Sequence, residues 1–262
     1  VSPEIAEVLE GRRQWTVVRA DNRDVLPTLP NQCVHHVITD PPYEAEAHAK
    51  QWRLKRSDEI VCAPLEFDPI TEDQRGFIGL QCGRLASRWS LVFCQVEAVA
   101  KWASVLEAGG AKYRRACVWV KPNPPPQITG DRPGMGYESI VVAHAPGKSR
   151  WNGGGRSGVF ACSSYNPESD RTGHQTQKPL PLMLELIKLF TDPGDVILDP
   201  FAGSGSTGVA AIRLGRRAIC IERDARYAEI ARDWLTAESQ GLSLRDYRAG
   251  QLPLIPTGQE SA

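Results

Sequence analysis

Two hydrophobic periods take turns along this chain. Short β-branched and aromatic runs stand at Trp15–Arg19 (WTVVR), Val34–Thr39 (VHHVIT), Leu91–Cys94 (LVFC), Ala116–Val120 (ACVWV), Ser139–His144 (SIVVAH), Val196–Asp199 (VILD) and Ala218–Glu222 (AICIE). Runs of this length and composition predict strands. Helical spacing fills several of the gaps. Thr71 and Gln74 have the spacing of a capping box ahead of Phe77, Ile78, Leu85 and Trp89. A second helical pattern runs from Val96 to Glu107 and stops at Gly109-Gly110. A third runs from Pro181 to Phe190, and a fourth carries Tyr227, Ile230, Ala231, Trp234 and Leu235 on one face. Strands alternating with amphipathic helices predict an α/β fold, with a mostly parallel sheet covered on both faces.

Three stretches leave this pattern. Residues 44–59 are polar and carry Lys50, Arg53, Lys55 and Arg56. Residues 122–136 are rich in Pro and Gly. Residues 145–173 are nearly free of aliphatic side chains and interleave Lys148, Arg150, Arg156 and Arg171 with Trp151, Phe160 and Tyr165. Loops of this length in a compact domain are commonly functional or disordered. The last stretch reads either as a solvated loop or as a stacking and backbone contact to nucleic acid. Residues 251–262 read as a loose tail.

Composition narrows the classes. With 262 residues, 41% hydrophobic and 24% charged, the chain holds enough apolar side chains for one large domain. Formal net charge is zero, so a nucleic-acid partner needs its cations grouped on one face. The seven cysteines include no C-x-x-C pair, which points to neither a disulfide framework nor a zinc site, and no metal is expected. No apolar run approaches the roughly 18 residues of a membrane span, and no signal-peptide pattern is seen. The expectation is a reduced cytoplasmic compartment.

The strongest local signal is DVILDPFAGSGSTGVAAIRLGRRAICIERD. A strand ends at Asp199, a glycine turn opens a helix, and a second strand ends at Glu222. Gly203, Gly205 and Gly208 fit G-x-G-x-x-G, with Glu222 19 residues after Gly203. The pattern is that of a dinucleotide fingerprint, with an acid placed for ribose hydroxyls. A pyrophosphate would sit at the helix N-terminus. The acid at Asp199 suits a cationic ligand such as S-adenosylmethionine better. A glycine turn without ligand is the plain alternative.

Ile38-Thr-Asp-Pro-Pro-Tyr43 follows another strand. In open α/β sheets, ligands bind beyond the carboxyl ends of strands. Proline has a fixed φ and no N–H, so Asp40 and the Pro41 carbonyl form a rigid pair of acceptors, and Pro42 leads into the flat face of Tyr43. Two acceptors beside an aromatic ring suit a substrate with an NH2 group on a ring.

Together these motifs resemble the S-adenosylmethionine-dependent DNA amino-methyltransferases that modify N6 of adenine or N4 of cytosine. Asp40-Pro41-Pro42-Tyr43 is similar to their catalytic motif, and Asp199-Pro200-Phe201-Ala202-Gly203-Ser204-Gly205 to their cofactor loop. His174-Gln175-Thr176-Gln177-Lys178-Pro179 resembles the segment before the cofactor strand, departing at Gln175, where the family usually has Pro. The catalytic motif precedes the cofactor loop, as in the family's permuted beta group, and the resemblance spans about Trp15 to Leu235. It implies a doubly wound, mostly parallel, seven-stranded Rossmann-like sheet in a single catalytic domain. It assigns Asp40, Pro41, Pro42 and Tyr43 to the target base. It assigns Asp21, Thr176, Gln177, Lys178, Asp199, Phe201, Ala202, Gly203, Gly205, Thr207 and Glu222 to the cofactor. It also implies double-stranded DNA as partner, a base flipped into the pocket, and a short recognition region at 145–173 helped by a DNA-facing loop at 44–59. A homodimer is a candidate assembly. Family members with an acid before the prolines mostly act on adenine, so N6-adenine is expected and N4-cytosine is the alternative. Carbon-5 methylation is disfavoured, because no Pro-Cys pair occurs.

Three rivals stand beside this reading. A nicotinamide-dependent oxidoreductase explains the glycines but not DPPY or TQKP. An RNA or protein-amide methyltransferase shares the turn but not the motif order. A binding protein with a dead site conflicts with the complete motif set.

Overall fold

A computed structural model describes residues 1–44, 52–54, 60–62, 68–124, 130, 131, 133–165, 167, 170–174 and 176–252. Most of the expected DNA-facing loop 44–59, Gln175, and all but the first two residues of the tail lie outside the described residues. The chain divides into two compact units, one built from Val1–Thr28 and Tyr165–Ala262, the other from Leu29–Ser164.

The strands are β1 (Trp15–Arg19), β2 (His36–Thr39), β3 (Trp52–Leu54), β4 (Ile60–Cys62), β5 (Trp89–Cys94), β6 (Lys112–Val120), β7 (Tyr137–His144), β8 (Val159–Ala161), β9 (Val196–Asp199) and β10 (Arg217–Glu222). The helices are α1 (Pro3–Leu9), α2 (Asn22–Val25), α3 (Glu72–Leu85), α4 (Val99–Ala108), α5 (Leu180–Phe190), α6 (Ser206–Arg213), α7 (Ala225–Ser239) and α8 (Leu244–Arg248). All seven expected strands form. β6 begins four residues earlier than its apolar run, because Lys112–Arg115 pair with β7 while staying exposed.

In the first unit, β1, β10 and β9 lie side by side and parallel, with Arg19 opposite Glu222 and Cys220 opposite Asp199. Parallel pairing sends all three carboxyl ends the same way. β9 is buried along its whole length, which is why it reads as an unbroken apolar run. Leu182, Leu186, Val209, Ala231, Trp234 and Leu235 supply helix faces to this core.

In the second unit, β2 and β5 are parallel, β5 and β7 antiparallel, β7 and β6 antiparallel, and β6 and β8 parallel. β8 is a three-residue strand inside 145–173, too short to show a period in sequence. β3 and β4 form a separate antiparallel pair, β3 inside the polar stretch and β4 just beyond it. Thr71 and Gln74 close the capping box of α3, as their spacing predicts. Glycines inside α3 allow it to lie close to α4. A Cβ on Gly83 would stand 2.4 Å from the Leu106 carbonyl oxygen, so the helical cost of glycine is offset by packing.

Candidate active-site residues

The first unit gathers the residues expected at the cofactor. Parallel register brings Glu222 at the end of β10 and Asp199 at the end of β9 to one edge, with Asp21 two residues beyond β1. Each carboxylate is met by backbone N–H groups. Asp199, 3% exposed, accepts from Phe201 N at 3.1 Å. Glu222 accepts from Gly203 N on one oxygen and from Asp224 N on the other, both at 2.8 Å. Asp21 caps α2 by accepting from Arg23 N at 2.9 Å. Burial raises the pKa of Glu222, against the lowering effect of those two N–H donors. The loop is tied down further by Asn22, whose amide donates to Pro200 O at 3.0 Å, and by Ala202 N, which donates to Ile221 O at 3.0 Å.

The glycines have separate reasons. Gly205 holds φ +94°, where a side chain is strained, and its Cβ would stand 2.9 Å from Leu235. Gly208 lets α6 approach β10, since a Cβ there would meet Cys220 Sγ at 2.8 Å. Thr207 and Ala202 are buried and Phe201 is half-buried.

The segment before α5 folds onto this turn. The His174 ring packs edge-on to Tyr227 with centroids 4.3 Å apart, and its Nδ1 accepts from Thr176 N at 3.3 Å. With Nδ1 accepting, the ring proton belongs on Nε2, which faces Gly203 at 3.1 Å from the site of a Cβ. Gln177 is bonded within its own loop. Its amide nitrogen donates to Asp170 O at 2.7 Å, and its oxygen accepts from Thr172 N and Thr172 Oγ1 at 3.1 and 2.9 Å. Gln177 thus staples its own loop. Lys178 is buried beside it in sequence, 8% exposed.

The second unit holds the turn expected at the target. Asp40 follows β2, whose four residues are all buried. Pro41 is buried, and Asp40, Pro42 and Tyr43 are half-buried. The Tyr43 carbonyl accepts from Ile70 N at 3.0 Å, and its hydroxyl donates to Glu138 Oε2 at 2.6 Å. Burial, then the charges of Glu138 and Asp40, raise the Tyr43 pKa, so the phenol stays a proton donor. Glu44 Oε1 pairs with Arg75 Nη1 at 3.2 Å, with side chains 8% and 6% exposed, while Glu44 Oε2 is buried with no hydrogen-bond partner among the described residues. Cys94, at the end of β5, has its pKa raised by burial and then by Glu44, Asp40 and Glu138. These carboxylates therefore share one neighbourhood.

Sequence reading missed Glu44, Arg75, Glu138 and Lys121. Glu44 follows the motif directly, and Glu138 stands just before the apolar run of β7, but nothing in their spacing links them to Tyr43. In 145–173, Arg156 stands 6.0 Å from the Phe160 ring centroid. Trp151 donates to Gly154 O at 2.9 Å. Arg171 stands 4.9 Å from the ring of Tyr165, which is 75% exposed.

Comparison with known proteins fixes the class. The profile of the DNA methylase family, which covers N6 and N4 methyltransferases, matches residues 34–233. The chain belongs to that family, which uses S-adenosylmethionine. The type II methyltransferase M.HinfI of Haemophilus influenzae is 26% identical over 242 residues, 82% of this chain and 67% of that protein. The type II methyltransferase M2.DpnII of Streptococcus pneumoniae is 35% identical over 148 residues, 52% of this chain and 55% of that protein. The chain thus spans about two thirds of one relative and about half of the other. The crystal structure of the M1.HpyAVI–SAM complex superposes with a TM-score of 0.62 at 26% identity, over 83% of this chain and 97% of that one. These findings establish the Rossmann-like methyltransferase fold and set aside the oxidoreductase reading. Among the described residues, no helix is long and apolar enough to cross a membrane.

Proposed function

We propose that this chain transfers a methyl group from S-adenosylmethionine to the N6 amine of an adenine in double-stranded DNA. The observation that carries this reading is the turn Asp40-Pro41-Pro42-Tyr43, whose Asp40 carboxylate and Pro41 carbonyl are both acceptors, in a chain whose other unit ends β9 and β10 in carboxylates and has Asp21 two residues beyond β1. The residues of the first unit fit S-adenosylmethionine. From Asp199 to Ser206 the loop opens on a carboxylate and carries no cationic side chain, which suits hydroxyls and a positive ligand better than a pyrophosphate. Glu222 would hold the ribose, Asp21 the adenine end, and Lys178 with Thr176 the methionine end. When bound, the cofactor supplies a methyl carbon already activated by its sulfonium.

The chain's own residues then act on the target. An aromatic amine is a poor nucleophile because its lone pair is delocalised into the ring. Asp40 and the Pro41 carbonyl accept its two hydrogens and favour a localised lone pair. The proline pair restricts the backbone that carries both acceptors, so less reorganisation is needed. Tyr43 offers its ring face to the flipped base. The cations and aromatic rings at 145–173 are read as the DNA contact, with a short or relaxed recognition sequence. Sequencing of methylated DNA would overturn that last point by showing a long, strictly read site. Cytoplasmic location and a homodimer belong to the same proposal, and sedimentation with and without DNA tests the dimer.

The deciding experiment is incubation with labelled S-adenosylmethionine and duplex DNA, followed by nucleoside mass spectrometry. N6-methyladenine is expected. N4-methylcytosine would replace the base assignment, and unlabelled DNA would overturn the activity.

A further inference from the structure

The Tyr43 ring is held from its far end. Its hydroxyl donates to one oxygen of Glu138, and Lys121 Nζ donates to the other, each at 2.6 Å. Lys121 stands 4.8 Å from the Trp119 ring centroid. Trp119 is the residue opposite Glu138 in the β6–β7 ladder, and its indole N–H donates to Cys162 O at 2.7 Å. The Glu138 and Lys121 side chains are 12% and 16% exposed. A carboxylate this covered needs a cation beside it, and Lys121 supplies one without competing for the oxygen that Tyr43 uses.

We propose that Glu138 is a positioning residue for methyl transfer, holding the Tyr43 ring in the orientation that receives the target base, with Lys121 stabilising its charge. This rests on the assignment of Tyr43 to the base made above. A tyrosine fixed only at Cα turns about two side-chain torsions. A charge-assisted hydrogen bond at the hydroxyl removes that freedom before the base arrives, so less ordering is left for the binding step. The anchor comes from a paired hairpin, and a site carried on regular strands is held more firmly than one carried on a loop. The ionised form of Tyr43 would meet the negative charges of Glu138 and Asp40, which keeps the hydroxyl a donor across the working range.

The test is a double-mutant cycle in the whole protein, with Glu138→Gln, Tyr43→Phe and the pair. Glutamine offers one acceptor where two donors converge. Three quantities are read: kcat on duplex DNA, the cofactor Kd, and the fluorescence of 2-aminopurine placed at the methylated position. Each single variant is expected to lose about tenfold in kcat and to give a weaker flipped-base signal, with the cofactor Kd unchanged. The double variant should be no worse than either single one, because both changes cut the same bond. Losses that multiply in the double variant would overturn the positioning role, as would an unaffected Glu138→Gln. If Glu138→Gln does not fold, as judged by lost cofactor binding, Glu138→Asp carries the same cycle. It keeps the charge beside Lys121 and withdraws the acceptor from Tyr43. Wild-type protein that methylates no DNA amine would remove the reading of Tyr43 itself, before any variant is compared.

Discussion

Both units place carboxylates at or just beyond the ends of strands, but they hold those ends by different means. In the first, Asp199 accepts from an N–H two residues on, and Glu222 from N–H groups two and 19 residues away. In the second, Tyr43 reaches an acid 95 residues away, and Glu44 a guanidinium 31 residues away. The end proposed for the cofactor is built mostly by backbone from nearby sequence, with Asn22 the long-range exception. The target end is built by side chains from distant sequence. Backbone scaffolding tolerates side-chain change around it, whereas a side-chain scaffold fails when one member is replaced.

That difference can be broken experimentally. The largest effect is expected for Asp40→Ala, which should cut methyl transfer by roughly two to three orders of magnitude, as for loss of one preorganised transition-state contact. Cofactor Kd from calorimetry should stay at the wild-type value, and equal loss of both would merge the two halves into one. Next is Arg75→Met, which leaves the Glu44 carboxylate buried without its cation and should cost about 3 kcal/mol or more in unfolding free energy. Adding Glu44→Leu should recover most of that loss in urea melts. Glu222→Ala should weaken the cofactor about tenfold or more, since hydrogen bonds to a charged group are lost. Its kcat at saturating cofactor should stay near wild type, and a collapse of kcat would mean that Glu222 acts on the target.

The smallest effect is a pH dependence. The folded state raises the Glu222 pKa, so folding favours the protonated acid. Its ionisation removes stability as pH rises from the ordinary carboxylate range through the raised value. Relative to Glu222→Gln, apo wild-type protein should therefore lose melting temperature across that window. Parallel melting curves would show that the acid is not shifted.

The same contrast explains what was legible. The seven strands, the capped helix at Thr71 and the glycine turn are local patterns, and the structure returns them within a few residues. The motif Asp199–Gly205 was readable because, Asn22 apart, its hydrogen-bond partners lie within its own strand–turn–helix–strand unit. Asp40–Tyr43 was readable as a turn at a strand end. Its supports were not, because Glu138 meets Tyr43 only through the order in which strands pair, and no spacing encodes that order. Gln177, which the motif assigns to the cofactor, has its amide engaged by Asp170 and Thr172 a few residues upstream, contacts that no spacing announces. The short strand β8 and the β3–β4 pair were hidden by their length, since three residues cannot establish a period.

The clasp at the base of the target turn has an evolutionary consequence. Ile70 N on the Tyr43 carbonyl, and Arg75 on Glu44, join the two ends of the segment that leaves the turn and returns at α3. With its ends already joined, lengthening that segment costs little, about 0.6 kcal/mol per doubling by loop-closure entropy. The turn is thus insulated from whatever is spliced in beside it. A lineage can exchange this segment, and an engineer can graft a foreign one, while the aim of Asp40 is inherited unchanged.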